Sequence, residues 1–350
     1  MQLVPSAHER QSKRLDKALW QTPPVKTGPT IRDVAARAGT STAVVSYVLN
    51  DGPRPVAPDT RARVLAAVSA LGYRRNNAAR ALRANRSGTL GLVVPDLAKP
   101  FFAELARAVE DAAFARGLRL LVSSTHFDIE HEQQQLQALV DARVDAILLV
   151  AAADPAPAVE LLRGTEVPHV LVHRTHPDAP GIAGDDADAG HLAAAHLTDH
   201  GYRHIALLGA DGGDDPVSRR TRGALAALQH RPALVPVGSF TTLREDAYRA
   251  TATLLATGGP VDAIWAATDE HALGAIRAAA EAGRRVGVDL ALVSIDGSEL
   301  SAYLSPALTT ASMPFAALGA DAVDAVLTGS PTGVRLHPMG LTIRHSCGRH

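Results

Sequence analysis

The sequence predicts a small all-α helix-turn-helix head followed by an α/β core of two parallel-sheet lobes, and three observations carry this. Residues 30–50 place apolar side chains at helical spacing in two short runs separated by a turn. From Thr89 onward, buried runs of strand type alternate with amphipathic helices, the pattern of repeated βα units and hence of a parallel sheet. The charge also changes sign between the two parts: residues 1–89 hold 15 Lys/Arg and 5 Asp/Glu, a net of +10, and the remaining 20 and 31 give −11.

The first 28 residues contain Pro5, Pro23, Pro24 and Gly28 with scattered charge and no sustained periodicity, which predicts a flexible leader. The head is expected over 29–73. Its first helix opens on the capping pair Thr30 and Asp33, and Ile31, Val34, Ala35 and Ala38 form its apolar stripe. Gly39 supplies a left-handed end and Ser41 an N-cap for the second helix, whose Val44, Val45, Val48 and Leu49 point inward. Ala35 is small where the two helices must cross, and it stands four residues before Gly39. The outward positions Thr42, Ala43, Ser46 and Tyr47 are short polar or aromatic groups, the kind that a recognition helix offers to base edges. Phosphates of a duplex attract such a basic segment through counterion release. Pro58 then opens a third helix, with Val64, Leu65, Val68 and Leu71 as its buried stripe. Residues 74–88 read as a linker, a basic segment too short to hold a helix without a partner.

The core is expected over 89–345. Strands near 90–94, 118–122, 146–150 and 169–172 alternate with helices near 101–116, 130–142 and 156–162. A second series follows, with strands near 204–208, 234–237, 263–267 and 291–295 and helices near 188–200, 218–229, 244–255 and 270–281. One more helix over 315–328 and alternating edge strands within 334–343 complete the chain.

At 350 residues, 46% hydrophobic and 20% charged, the composition is that of a soluble multidomain protein. No apolar run approaches the roughly 20 residues of a membrane span, and no secretory signal opens the chain, so a cytoplasmic protein without membrane contact is expected. The single cysteine, Cys347, excludes an internal disulfide. His196 and His200 stand at i, i+4, but no third ligand accompanies them, and neither a metal nor a cofactor is expected. No G-x-S-x-G elbow, Walker loop or H-E-x-x-H occurs, so no enzyme is expected.

The stretches Ile31–Gly39, Val45–Asn50, Thr60–Val64, Leu71–Tyr73, Asn76–Leu82, Pro95–Phe102, Val144–Asp145 and Leu308–Thr310 together resemble the lactose-repressor (LacI-type) family of transcription regulators, over about residues 30–345. The resemblance implies a second helix in the major groove, with Thr42, Ala43 and Tyr47 at base-reading positions and Ser41 and Ser46 near phosphate. Tyr47 stands where the family usually has Arg. The linker matches the family's hinge helix, with Leu82 as a minor-groove wedge and Ala79 beside it; Asn50 and Asn76 complete the implied DNA-contacting set. Arg75 stands where Pro is common, and Ala57 where a capping Ser or Thr is usual.

The core resembles the periplasmic sugar-binding fold, with a ligand between lobes at the carboxyl ends of parallel strands. The implied crossings between lobes lie near 185, 313 and 328. The implied effector-binding residues are Phe101, Phe102, Asp185, Arg220, Asp269 and Asp296. One of the two phenylalanines is expected to pack into its own helix's core; Arg219 and Arg222 are solvated in the alternative reading, and Asp269 has a helix N-cap as its alternative role. His173 replaces a common Asp, and Met313 a frequent Gln. The family implies a homodimeric regulator, in first place a repressor, that binds a near-palindromic duplex operator under control of a small-molecule effector, in first place a sugar. A purine- or nucleoside-dependent co-repressor system is the alternative, and a sugar-binding protein without DNA binding a further one.

Overall fold

The computed structural model describes residues 28–50, 54–74, 86–210, 212–228, 233–237, 243–329 and 333–348. The expected leader up to residue 27, Arg75, and the hinge residues Asn76, Ala79 and Leu82 lie outside the described residues. The chain divides into a head unit and a core unit.

The head consists of α1 (Ile31–Ala38), α2 (Thr42–Asn50) and α3 (Pro58–Leu71). The capping box at Thr30 is complete: its amide donates to Asp33 Oδ2 at 2.7 Å, and its hydroxyl accepts from the Asp33 amide. Gly39 ends α1 at φ 62°, and the amide of Thr40 donates back to the Ala35 carbonyl at 3.0 Å, so the turn closes on the last helical carbonyls. Val34, Ala35, Ala38, Val45, Val48, Leu49, Val64 and Ala67 form one buried cluster. Leu65 departs from its expected place: it is 47% exposed, because the inward stripe of α3 runs Val64, Ala67, Val68, Leu71, and Leu65 falls outside that phase. Ala57 contributes no side-chain cap to α3, leaving Pro58 at its first turn to set the entry angle.

In the core, β1 (Thr89–Val94), α4 (Pro100–Ala115), β2 (Arg119–Ser124), α5 (Ile129–Asp141), β3 (Ala146–Leu149), α6 (Ala156–Arg163), β4 (His169–Val172) and β5 (Gly181–Gly184) make the first lobe. The second lobe has α7 (Asp186–Asp199), β6 (Ile205–Gly209), α8 (Pro216–Ala227), β7 (Ala233–Pro236), α9 (Leu243–Ala256), β8 (Ala263–Ala266), α10 (Asp269–Glu281), β9 (Ala291–Asp296), a 3-10 turn (Glu299–Tyr303) and β10 (Thr309–Ser312). The chain then returns for α11 (Phe315–Thr328) and β11 (Val334–His337) and ends on β12 (Gly340–Thr342). The sheets run β11-β5-β4-β3-β1-β2 and β12-β10-β9-β8-β6-β7, parallel except for β12 against β10.

The third crossing therefore falls between His337 and Gly340 and not near 328: β11 still pairs with β5 in the first sheet, from Val334 against Gly181 to His337 against Gly184. The core also runs past 345. Ser346 Oγ accepts from the Thr309 amide at 2.8 Å and donates to the Leu292 carbonyl at 2.6 Å, and Cys347 is fully buried. At its start, the Asp145 carboxylate takes hydrogen bonds from the Ser87 hydroxyl at 3.0 Å and the Gly88 amide at 2.9 Å, so these two residues belong to the core and not to the linker.

Candidate functional site

On the head, packing decides which face of α2 is presented. Val45, Val48 and Leu49 are buried, while Ser41, Thr42 and Ala43 are exposed and Ser46 and Tyr47 half-buried. Ser41 Oγ accepts from the Val44 amide at 3.3 Å, so this hydroxyl caps the helix and leaves its own hydrogen free to donate. Asn50 is the last residue of α2. The result is a helix whose small N-terminal side chains Ser41, Thr42 and Ala43 face outward together, a surface that suits close approach to a duplex.

In the core, a cleft opens at the carboxyl ends of the strands of both sheets. Pro95 follows β1, Phe127 follows β2, His173 follows β4, Thr268 follows β8, and Asp296 closes β9; all line it. Arg220, on α8, sits at its floor, 1% exposed. Its Nε donates to Asp186 Oδ1 at 2.8 Å, and its Nη1 to Asp296 Oδ1 at 2.7 Å and to the Ala267 carbonyl at 2.9 Å, while Nη2 has no hydrogen-bond partner among the described residues. The fork is thus fixed by two carboxylates and keeps one donor for whatever enters. Burial pushes the Asp296 carboxyl up, the guanidinium opposes it, and the two carboxylates keep Arg220 charged.

Close helix packing sets this position. A Cβ on Gly190 of α7 would strike the backbone of Arg220, and one on Gly223 of α8 would strike the Ala187 carbonyl, so only glycines let the two helices approach. Asp186, the first residue of α7, is thereby carried to the guanidinium.

Of the sequence-derived set, Phe101, Phe102, Arg220 and Asp296 line the cleft. Phe101 is also buried in the core of its lobe, its ring 5.2 Å from that of Phe102 and 4.5 Å from His173. Asp185 and Asp269 do not reach it. Asp185 caps α7, accepting from the Asp188 amide at 3.0 Å; its neighbour Asp186 faces the cleft floor instead, because a helix start turns successive side chains in different directions. Asp269 is consumed inside the second lobe by the hydroxyls of Ser294 (2.6 Å), Ser298 (2.8 Å) and Thr310 (3.1 Å) and by the Ser298 amide (2.9 Å). Nor is it the N-cap of α10, a part played by Thr268. Arg219 reaches Asp186 Oδ2 at 3.2 Å, and Arg222 reaches Asp214 at 3.2 Å while half-exposed.

Sequence reasoning missed Asp186, Lys99, Phe127, Leu243 and Glu270. Phe127 carried a signal, since it follows a strand at the end where α/β proteins bind ligands. Across the mouth, Lys99 Nζ of the first lobe lies 3.7 Å from Glu270 of the second, and Glu104 Oε1 accepts from the Glu299 amide at 2.7 Å. His196 places Nε2 3.3 Å from Cys347 Sγ, and among the described residues no group of three or more His, Cys, Asp or Glu could hold a metal ion. Among them, too, no helix is long and apolar enough to cross a membrane.

Comparison with known proteins gives matches to both parts. Residues 30–76 match the model of bacterial regulatory proteins of the lacI family, and residues 194–347 that of a periplasmic binding protein-like domain. The ribose operon repressor of Halalkalibacterium halodurans is 36% identical over 83% of this chain and 87% of its own. The HTH-type transcriptional repressor PurR of Erwinia tasmaniensis is 34% identical over 85% of this chain and 89% of its own. Among solved structures, the Lac repressor dimer bound to operator and the anti-inducer ONPF superposes with a TM-score of 0.81 at 28% identity, covering 91% of this chain and 99% of that one. The CelR–cellobiose complex gives 0.64 at 29%, with the same coverage.

Proposed function

The chain belongs to the lacI family of bacterial regulatory proteins, and from that membership we propose that it is a sequence-specific transcriptional repressor, acting as a homodimer on a near-palindromic operator in the cytoplasm, without catalytic activity. A small-molecule effector bound between the core lobes controls its affinity for DNA. The observation that supports this reading is the coexistence in one chain of a helix with an outward-facing N-terminal surface and a cleft whose buried Arg220 keeps a donor without a partner among the described residues. A transport-type binding protein has no use for the first, and a constitutive DNA-binding protein none for the second.

Ser41, Thr42, Ala43, Ser46, Tyr47 and Asn50 supply the head's contacts. Tyr47 can stack or donate a hydrogen bond but cannot form the bidentate guanine contact of an Arg, so base preference at that position differs from that of Arg-bearing relatives. Asn76, Ala79 and Leu82 add minor-groove contacts by family resemblance. The effector acts through lobe closure: a ligand that prefers the closed cleft stabilises the arrangement with Lys99 against Glu270 and Glu104 against the Glu299 amide, and shifts the spacing of the two heads by no more than its differential affinity for the two states.

The test is selection of duplexes from a random library with the full-length protein, followed by titration of the selected sequence at several salt concentrations. The expected result is a symmetric consensus, bound about 1,000-fold or more tighter than random DNA, with log affinity falling linearly as log salt rises. Equal affinity for selected and random duplex contradicts the reading.

A further inference from the structure

The chain does not enter the core in a straight line. Gly88 bends it at φ 70° immediately before β1, and a Cβ there would meet nothing, so the glycine serves the backbone turn and not close packing. Two other segments of the first lobe hold this bend. The Asp145 carboxylate, between α5 and β3, accepts from the Ser87 amide and hydroxyl on Oδ1 and from the Gly88 amide on Oδ2. The Gly88 carbonyl accepts from the Arg119 amide at the start of β2 at 3.0 Å, and the Asp145 amide donates to the Thr89 carbonyl at 2.8 Å.

Asp145 has no duty inside its own turn. It caps no helix, and among the described residues its carboxylate bonds only Ser87 and Gly88, 58 and 57 positions away. The turn that presents it is firmly seated. Val144 is 5% exposed in the core of the lobe, and Arg143 before it takes a left-handed backbone, φ 54°, a conformation that favours glycine. A non-glycine residue is kept in that region only where its surroundings over-determine it.

We propose that Asp145 is the positioning residue of the linker: by clasping Ser87 and Gly88 to the first lobe it fixes where, and in which direction, the chain leaves the core toward the head, and so sets the spacing of the paired heads on DNA. The inference rests on the DNA-binding reading above. Five peptide units join Leu82 to Ser87, a reach of at most about 18 Å. Release of Ser87 and Gly88 adds about 7 Å to that reach on each arm, the length of about two base pairs at about 3.4 Å each. A clasped arm therefore discriminates half-site spacings that a released arm tolerates, and slack in the tether lowers the effective concentration of the second head once the first is bound.

Anisotropy titration of the full-length protein tests this, using the selected duplex, derivatives with two base pairs inserted or removed between the half-sites, and a duplex carrying a single half-site. The parent is expected to prefer the native spacing by about tenfold or more. Asp145→Ala is expected to lose about tenfold at the native spacing, to bind the altered duplexes within about threefold of it, and to keep the parent's affinity for the single half-site. Ser87→Ala removes the hydroxyl bond and keeps both amide bonds. Its spacing preference is expected to fall between those of the parent and Asp145→Ala, and it carries the test if Asp145→Ala does not fold. Variants that keep the parent's spacing preference, or an equal loss on every duplex including the single half-site, overturn the proposal. A parent that binds the selected duplex no better than random DNA removes the regulator reading and the clasp with it, whereas a specific parent with unchanged variants removes the clasp alone.

Discussion

Glu132 lies on α5, 1% exposed, with Oε2 accepting from the Ala152 amide at 2.6 Å. Burial pushes its carboxyl up from 4.5 to about 7, against the hydrogen bond from Ala152 and the nearby Arg174, which lower it. The folded protein therefore keeps a proton that the unfolded chain releases above about 4.5, and this contribution to stability is lost as pH rises through about 7. Glu132→Gln is expected to remove that component, so the difference between the urea midpoints of variant and parent grows from pH 5 to pH 8; a constant difference would contradict the assignment. The same residue-scale logic separates Asp186 from Asp185. Each begins as an acidic side chain at a helix start, and only the one turned inward meets a buried guanidinium.

At the scale of elements, the α7–α8 contact does most to position the cleft floor. Both helices carry a glycine at the crossing, and each glycine faces backbone of the other helix. Gly223→Ala forces a methyl against the Ala187 carbonyl and is expected to cost about 1–3 kcal/mol or more, read as a lower denaturant midpoint. A midpoint equal to the parent's would show that the helices separate without cost. The two short strands that periodicity did not reveal belong to this scale as well. In β5 the run Gly-Ile-Ala-Gly has little strand propensity, and it is a strand because β4 and β11 pair on either side of it. In β10 the run Thr-Thr-Ala-Ser is held between β9 and β12.

For the whole molecule, the net charge of −1 conceals a basic head region and an acidic remainder, so duplex DNA is drawn to one end of the chain. The first lobe leaves apolar surface uncovered on its edge strand β2 and on the helix packed there: Phe114 is 80% exposed, Leu121 46% and Val122 40%. A second copy of the chain covering this surface fits the homodimer proposed above, and an edge strand left open is otherwise a route to aggregation. Leu121→Asp is expected to shift the protein toward monomer in light scattering at micromolar concentration and to weaken operator binding about tenfold or more, since a single head makes half the contacts. A variant that remains fully dimeric would place the interface elsewhere.

What the sequence determined by itself was local. Helix periods, the Thr30–Asp33 capping box, the Gly39 stop and the succession of βα units all follow from neighbours within a few positions, and the fold class and the outward face of α2 follow from those. Arg220, Asp296 and the Phe101–Phe102 pair were also legible, through resemblance to a family whose motifs the chain carries. The tertiary structure alone decided which carboxylates meet Arg220, since its partners lie 34 and 76 positions away and the competing Asp269 is used up by hydroxyls from three other segments. It alone placed β11 in the first sheet and so moved the last crossing beyond His337. It alone turned Phe127 into the cleft. The physical reason is common to all three: hydrogen-bond satisfaction and packing are settled between distant segments, and no window of sequence contains both partners.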